Sequence, residues 1–485
     1  SSRAARDRGC SAGDGPRPAA RAGAQVRRAR VGLRWGAISD SSYERTVASA
    51  IQTYGTTDHI VNEGNIIGNV DLPDGDDWFE NRGTVEGDVR MGEGDDGYVF
   101  ALGGTLTGTA YGGDGTDTLF IDGSGDQNGR LDAAKYREFE RIEGLPGAQQ
   151  GTGILSVVGD FDVDTVGLAN LSIQIDAGDT VSSEGEVTFT GSDGSERITN
   201  NGTIAGSVDL GAGNDIVINS GTIQGDVLLG AGNDRYVARA GSVIEGLLDG
   251  GEGIDTFEFL LAGDIGDLPS GLTGFESYAA RGQGTINVTL DQDIDTIELL
   301  EGANLILNDG TGTIQNIVGD DSNNVVTITG TLAGGVNLGG GDDTLNLTLN
   351  GVLSGALDGG AGNDTLNLTL TGASTINGMN GFEVANIAGS SPLTLAGSLG
   401  EGQTVNFDES DNELIIAAGA SFAGTVNGGD GRDLLRIQSG DQDSRTVVAS
   451  QIVSFEDLIA EGAGTLALTG GAYSFQTVAV DGALE

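Results

Sequence analysis

Asn200–Asp215 reads NNGTIAGSVDLGAGND, and Asn219–Asp234 reads NSGTIQGDVLLGAGND. The second stretch repeats the first at an offset of 19 residues. Within each, apolar residues alternate with polar ones (Val208 and Leu210), which is the period of a β-strand. The closing Gly-x-Gly-Asn-Asp supplies positive φ and short side chains that bond their own backbone, so it reads as a tight turn. The common unit is apolar, Gly, x, Gly, x, Asp, x, apolar. Its copies are Leu72–Phe79 (with Pro73 for the first Gly), Met91–Tyr98, Gly112–Leu119, Leu210–Val217, Leu229–Tyr236, Gly250–Phe257, Leu338–Leu345, Gly359–Leu366 and Gly428–Leu435.

The closing acids set a register. Weaker turns at Asp58, Glu196, Asn324 and Glu413 align with the same position. The series are Asp58, Asp77, Asp96, Asp117; then Glu196, Asp215, Asp234, Asp255; then Asn324, Asp343, Asp364; then Glu413, Asp433. The steps are 19, 19, 21; 19, 19, 21; 19, 21; and 20 residues. Each series opens on a degenerate turn and closes on a full GGxGxD. About 20 residues later comes a Phe-Glu pair: Phe139-Glu140, Phe275-Glu276, Phe382-Glu383 and Phe455-Glu456.

Thr344–Leu349 (TLNLTL) recurs at Thr365–Leu370, 21 residues on. The leucines point one way, into a core. The threonines and asparagines point the other way, and Asn346 and Asn367 are expected to form an outward hydrogen-bonded ladder. Helical spacing is rare, and Leu131–Ile142 is the one helical candidate. A unit of roughly 20 residues cannot bury its apolar face alone, but stacked units bury a continuous core. The fold class expected is all-β: a right-handed parallel β-helix, or β-solenoid, with coils of about 20 residues. Around 22 coils at about 4.8 Å each would make a rod on the order of 100 Å long. Four blocks are expected, at about 46–180, 181–310, 311–400 and 401–485.

Composition agrees and excludes. The chain has 485 residues with 86 Gly, 23 basic and 72 acidic residues, one His and one Cys. One Cys excludes a disulfide scaffold and multi-Cys metal sites. A net charge of −49 argues against nucleic acid, whose phosphates need clustered Lys and Arg. No apolar run approaches a membrane helix. Residues 1–45 differ from the rest: they carry ten Arg and four acids, leaving the remainder at 13 basic and 68 acidic residues, a net of −55. That Arg/Ala-rich segment is expected to be disordered or a non-native start.

Stacking sets turn acids above one another, and two carboxylates about 4.8 Å apart repel by about 0.9 kcal/mol even in bulk water. Either the turns splay into solvent, or a cation sits between them. Carboxylates and turn carbonyls are the ligands calcium takes. The candidate calcium ligands are Asp77, Asp96, Asp114, Asp117, Asp215, Asp234, Asp255, Asp343, Asp364, Asp430 and Asp433.

The turns resemble haemolysin-type calcium-binding repeats, GGxGxDxUx, matched fully at Gly112–Leu119, Gly250–Phe257, Gly359–Leu366 and Gly428–Leu435. In that family the nonapeptides run in tandem, whereas here each stands alone in 19–21 residues. The longer phrases at Asn200–Asp215 and Asn219–Asp234 resemble the passenger regions of bacterial autotransporters. That resemblance covers most of residues 55–485. It implies a non-catalytic structural or adhesive rod on the outer surface of a Gram-negative cell, or secreted from it. It also implies a secretion signal and a C-terminal translocator barrel in the full-length protein, of which this chain is expected to be the passenger fragment. Partners would be host-surface or extracellular proteins or glycans, with no nucleic acid and no membrane span in this chain. Two alternatives are a secreted calcium-binding repeat protein and a polysaccharide-active β-helix enzyme. No GxSxG, HExxH or GK[ST] motif occurs, so no catalytic residue is assigned. His59 and the arginines that follow acidic turns (Arg235, Arg239, Arg432, Arg436) read as surface residues, the arginines in solvated ion pairs.

Overall fold

The computed structural model describes residues 38–39, 49–55, 57–147, 151–263, 272–289, 293–440 and 443–484. The arginine-rich start lies, apart from Ile38–Ser39, outside these described residues. The chain is a parallel β-solenoid of about 20 turns, with coils of about 21 residues. Every described strand pairing is parallel, each strand bonding its counterpart one coil away.

The repeat explains the coil. In one turn of the stack, strands Arg197–Asn200, Thr203–Ile204 and Ser207–Gly211 make three short sides, and Ala212–Asp215 turns the chain into the next coil. Ile216–Asn219 and Thr222–Ile223 then lie on the first two, in register: Ile198 on Val217, Ile204 on Ile223. From Gly284 onward the coils flatten to longer strands, such as Gly284–Thr289, Ile294–Leu300, Ala303–Asn308 and Ile314–Gly319. Thr344–Leu349 pairs residue for residue with Thr365–Leu370, as their identity requires.

Alternation decides the inside. Leu345, Leu347, Leu366 and Leu368 are buried, while Thr344, Asn346, Thr365 and Asn367 are partly exposed. The core runs the length of the stack as one cluster, from Ile60 to Leu466. The expected outward ladder is present: Asn367 Nδ2 donates to Asn346 Oδ1 and Asn386 Nδ2 to Asn367 Oδ1, each at 2.9 Å. The helix expected over Leu131–Ile142 is not: only Ala133–Lys135 forms a 3-10 turn, between strands Gly129–Asp132 and Tyr136–Arg137. Leu131 and Tyr136 are both needed in the core, and stacking overrides the weak helical spacing. No helix among the described residues is long and apolar enough to cross a membrane.

Candidate functional site

The row of turn acids is the most regular chemical feature of the molecule, and it resolves its own repulsion in a way the sequence expectation did not include. The closing aspartates neither splay outward nor face a neighbour's charge across solvent. Asp77, Asp96, Asp117, Asp215, Asp234, Asp255, Asp343, Asp364 and Asp433 point into the coil and are at most 3% exposed. Each uses Oδ1 to accept the backbone N–H of the equivalent residue one coil earlier. Glu196 N–H donates to Asp215 at 2.6 Å, Asp215 N–H to Asp234 at 2.7 Å, and Asp234 N–H to Asp255 at 2.7 Å. Asp58, Asp77 and Asp96 donate likewise to Asp77, Asp96 and Asp117, at 2.7, 2.6 and 2.8 Å. Asn324 and Asp343 donate to Asp343 and Asp364 at 2.7 and 2.8 Å.

The residue before each closing acid builds a second ladder running the other way. Asn233 N–H donates to Asn214 Oδ1 at 2.8 Å, and Ile254 N–H to Asn233 Oδ1 at 3.0 Å. Asp95 and Thr116 amides donate to Asp76 and Asp95 at 3.0 and 2.9 Å. An Asn-Asp pair thus ties its coil to both neighbours, with the Asn outside and the Asp inside.

The Phe-Glu pairs end the inner ladder. Glu140, Glu276, Glu383 and Glu456 accept the N–H of Asp117, Asp255, Asp364 and Asp433, at 2.7, 2.9, 2.7 and 2.9 Å. The residue ahead of each pair takes positive φ: Glu138 60°, Gly274 69°, Gly381 66° and Ser454 56°. The chain there cuts inward, and the phenylalanine is buried in the core. This explains why the last turn of each series carries a double glycine. A Cβ at Gly112 would stand 1.8 Å from Glu138 O, and one at Gly250 would stand 2.1 Å from Gly274 O. The earlier coils, which stack on another full turn, carry Leu or Met there instead (Leu210, Leu229, Met91).

Each closing aspartate keeps its second oxygen buried, with no hydrogen-bond partner among the described residues. The electrostatic consequence is uniform. Burial, reinforced by neighbouring acids, pushes Asp77 and Asp215 up from 3.8 to about 7. It pushes Asp96, Asp117, Asp234, Asp343 and Asp433 up to about 6, against the lowering pull of the accepted amide. Asp255 and Asp364 shift the same way. Asn324 and Asn412 solve the same position without charge: Asn324 Nδ2 donates to Ala303 O at 2.7 Å, and Asn412 Nδ2 to Gly389 O at 3.1 Å.

Of the other candidate ligands, Asp114 and Asp430 are exposed and stand apart from the inner row. No group of three or more His, Cys, Asp or Glu able to hold a metal ion occurs among the described residues. Any ion at the inner row would therefore draw most of its ligands from turn carbonyls.

The structure also moves one position. Asn412, not Glu413, opens the last ladder: its N–H donates to Asp433 Oδ1 at 2.8 Å. The last step is thus 21 residues, the difference between 412 and 433 in the chain. Four inward asparagines were not singled out from the sequence. Asn62, Asn81, Asn200 and Asn219 are buried. Asn62 and Asn200 Nδ2 donate to Asn81 and Asn219 Oδ1 at 2.9 Å. The Oδ1 atoms of Asn200 and Asn219 accept from the amides of Gly202 and Gly221. Their signal is the recurring Asn-x-Gly at the head of each phrase. Arg235, Arg432 and Arg436 form ion pairs with Glu258, with Asp457 at 2.8 Å, and with Glu413 at 2.9 Å. His59 is exposed, edge-on to Trp78.

Comparison with protein-family models, with curated proteins and with solved structures finds no match to this chain. The likeness to autotransporter passengers and to haemolysin-type repeats therefore rests on the repeat phrases alone.

Proposed function

We propose that this chain is a non-catalytic rod, the passenger part of an autotransporter-like protein, carried on or released from a Gram-negative cell surface as a structural or adhesive element. The observation that carries this reading is the commitment of the repeat's acids. In a chain this acidic, the aspartates that recur in every turn hold coil to coil, so their repetition is accounted for by scaffold. Fold alone does not fix function. The test is display. The chain is fused between a secretion signal and a translocator barrel and expressed in a Gram-negative host. The expected result is a protease-accessible rod on whole cells and increased adherence to other cells or to glycoprotein-coated surfaces. A rod that stays inside, or one displayed with no change in adherence, overturns the proposal.

Calcium binding is the second reading, favoured by the orphaned buried Oδ2 atoms of the inner row. Bound there, calcium would supply positive charge between carboxylates of successive coils. Circular dichroism with and without chelator tests it. Loss of the β signal on chelation, restored by calcium, would support it, and an unchanged spectrum and unfolding midpoint would remove it.

A further inference from the structure

One stretch of the rod's outer face departs from the Thr/Asn/charged pattern of the rest. In strand Trp78–Asn81, Trp78 lies on the outside, in register with Gly97, Thr118 and Arg141 of the next three coils. Phe120 lies outside on the neighbouring column, in register with Val99. The indole reaches across Gly97, where a Cβ would stand 2.6 Å from its ring, and meets Phe120 with ring centroids 5.0 Å apart and planes tilted by 34°. The His59 ring stands edge-on to the indole, with centroids 6.2 Å apart. Val99 is an outward position with no exposed surface. Glycine at 97 is thus what lets two aromatic rings lie together as a floor.

The floor lines a wide, open groove of about 570 Å³. Exposed Asp76 and Asp95 stand on its turn side, Thr116 and Thr118 along it, and exposed Arg141 at its far end.

We propose that this groove binds a neutral oligosaccharide, whose C–H face stacks on Trp78 and Phe120. Charge selects the class. Asp76 and Asp95, on a body of net −55, repel uronic, sulfated and phosphorylated ligands. Arg141, about 14 Å along the groove at three strand spacings, opposes a polycation lying through it. A neutral polyol satisfies both: its hydroxyls donate to Asp76 and Asp95 and accept from the Arg141 guanidinium, and the aromatic floor buries an apolar sugar face. The site goes beyond the rod reading and is tested on the isolated chain, so failed display and failed binding are separable.

The experiment uses Trp35→Phe as background, which leaves Trp78 as the sole indole. Its fluorescence is titrated with cellohexaose, maltohexaose, mannohexaose and galactohexaose, and with oligogalacturonate and octalysine for comparison. A saturable change with at least one neutral sugar is expected. Trp78→Ala and Phe120→Ala, followed by equilibrium dialysis, should weaken it by at least about tenfold, with Trp78→Phe intermediate and the β circular dichroism unchanged. Should Trp78→Ala fail to fold, sugar must still shield Trp78 from acrylamide quenching in the background chain. No saturation by any neutral sugar, binding that survives both alanine changes, absence of shielding, or Trp78-dependent binding of octalysine or oligogalacturonate alone overturns the proposal.

Discussion

Asp215→Asn is the sharpest test of the inner ladder. Asp215 sits mid-row, accepting from Glu196 at 2.6 Å and donating to Asp234 at 2.7 Å, with its second oxygen buried and unpartnered. Burial, together with Glu196 and Asp234, raises it from 3.8 to about 7. A carboxyl whose folded value lies above its unfolded one binds its proton more tightly in the folded state. Its contribution to stability is therefore complete below about pH 4 and is lost as pH rises through about 7. Three units correspond to about 4 kcal/mol for this one group, an upper figure because neighbouring sites titrate together. Asparagine keeps the Oδ1 acceptor and removes the charge, as the chain itself does at Asn324 and Asn412. The variant should match the parent near pH 4 and exceed it by about 2–4 kcal/mol near pH 8. Its urea midpoint, followed by circular dichroism, should also vary less with pH. Asp215→Ala is the contrast: it also removes the charge but strands the Glu196 amide, so it should be weaker than Asp215→Asn by about 1–3 kcal/mol at every pH. Because the parent's overall charge also falls with pH, the difference between parent and asparagine variant is the decisive quantity. An asparagine variant as weak as alanine at pH 8, or a parent that gains stability between pH 5 and 8, would refute the reasoning.

Four further outcomes follow from the closing coils and the outer ladder. Gly112→Ala forces a Cβ to within 1.8 Å of Glu138 O, so it should lower the unfolding midpoint far more than alanine at open Gly147. Phe275→Ala empties a core position that is 5% exposed and should cost about 3–5 kcal/mol in urea titration. Glu276→Gln should be close to neutral, because the Asp255 amide keeps an acceptor, whereas Glu276→Leu should lose about 1–3 kcal/mol. Asn367→Ala, on the partly exposed ladder, should cost no more than about 1 kcal/mol in the same assay.

The period, the parallel stacking and the leucine-in, threonine-out alternation were readable because each is repeated many times with little variation. The inward aspartates were readable too, by a signal that charge obscures. Asp343 shares parity with Leu345 and Leu347, and Asp215 with Val217, so the alternation that buries the apolar residues also buries the acid. The general preference of acids for solvent argued the other way, and a local amide cap reversed it. The same parity assigns Asn412 rather than Glu413, since Leu414 and Ile416 are the buried pair. The role of Glu140, Glu276, Glu383 and Glu456 was not readable. Their partners lie 19 to 23 residues back, and the inward step of the chain that brings them there is made by Glu138, Gly274, Gly381 and Ser454, which are not of one residue type. The aromatic floor escaped notice because it joins residues 42 positions apart, Trp78 and Phe120, over a glycine that resembles any other.

The glutamate caps fix how each run of coils must end. A run of Asp-capped coils ended by a Phe-Glu coil leaves no ladder amide without an acceptor at its closing end, whereas a run cut one coil early strands a buried N–H. Whole runs, or single coils within a run, can therefore be duplicated or deleted with every ladder amide satisfied, while the Phe-Glu coil that ends a run cannot be lost from it. A lineage carrying this chain would be expected to vary in reach while keeping one Phe-Glu coil at the close of every run, like rulers of different lengths that share the same end stop.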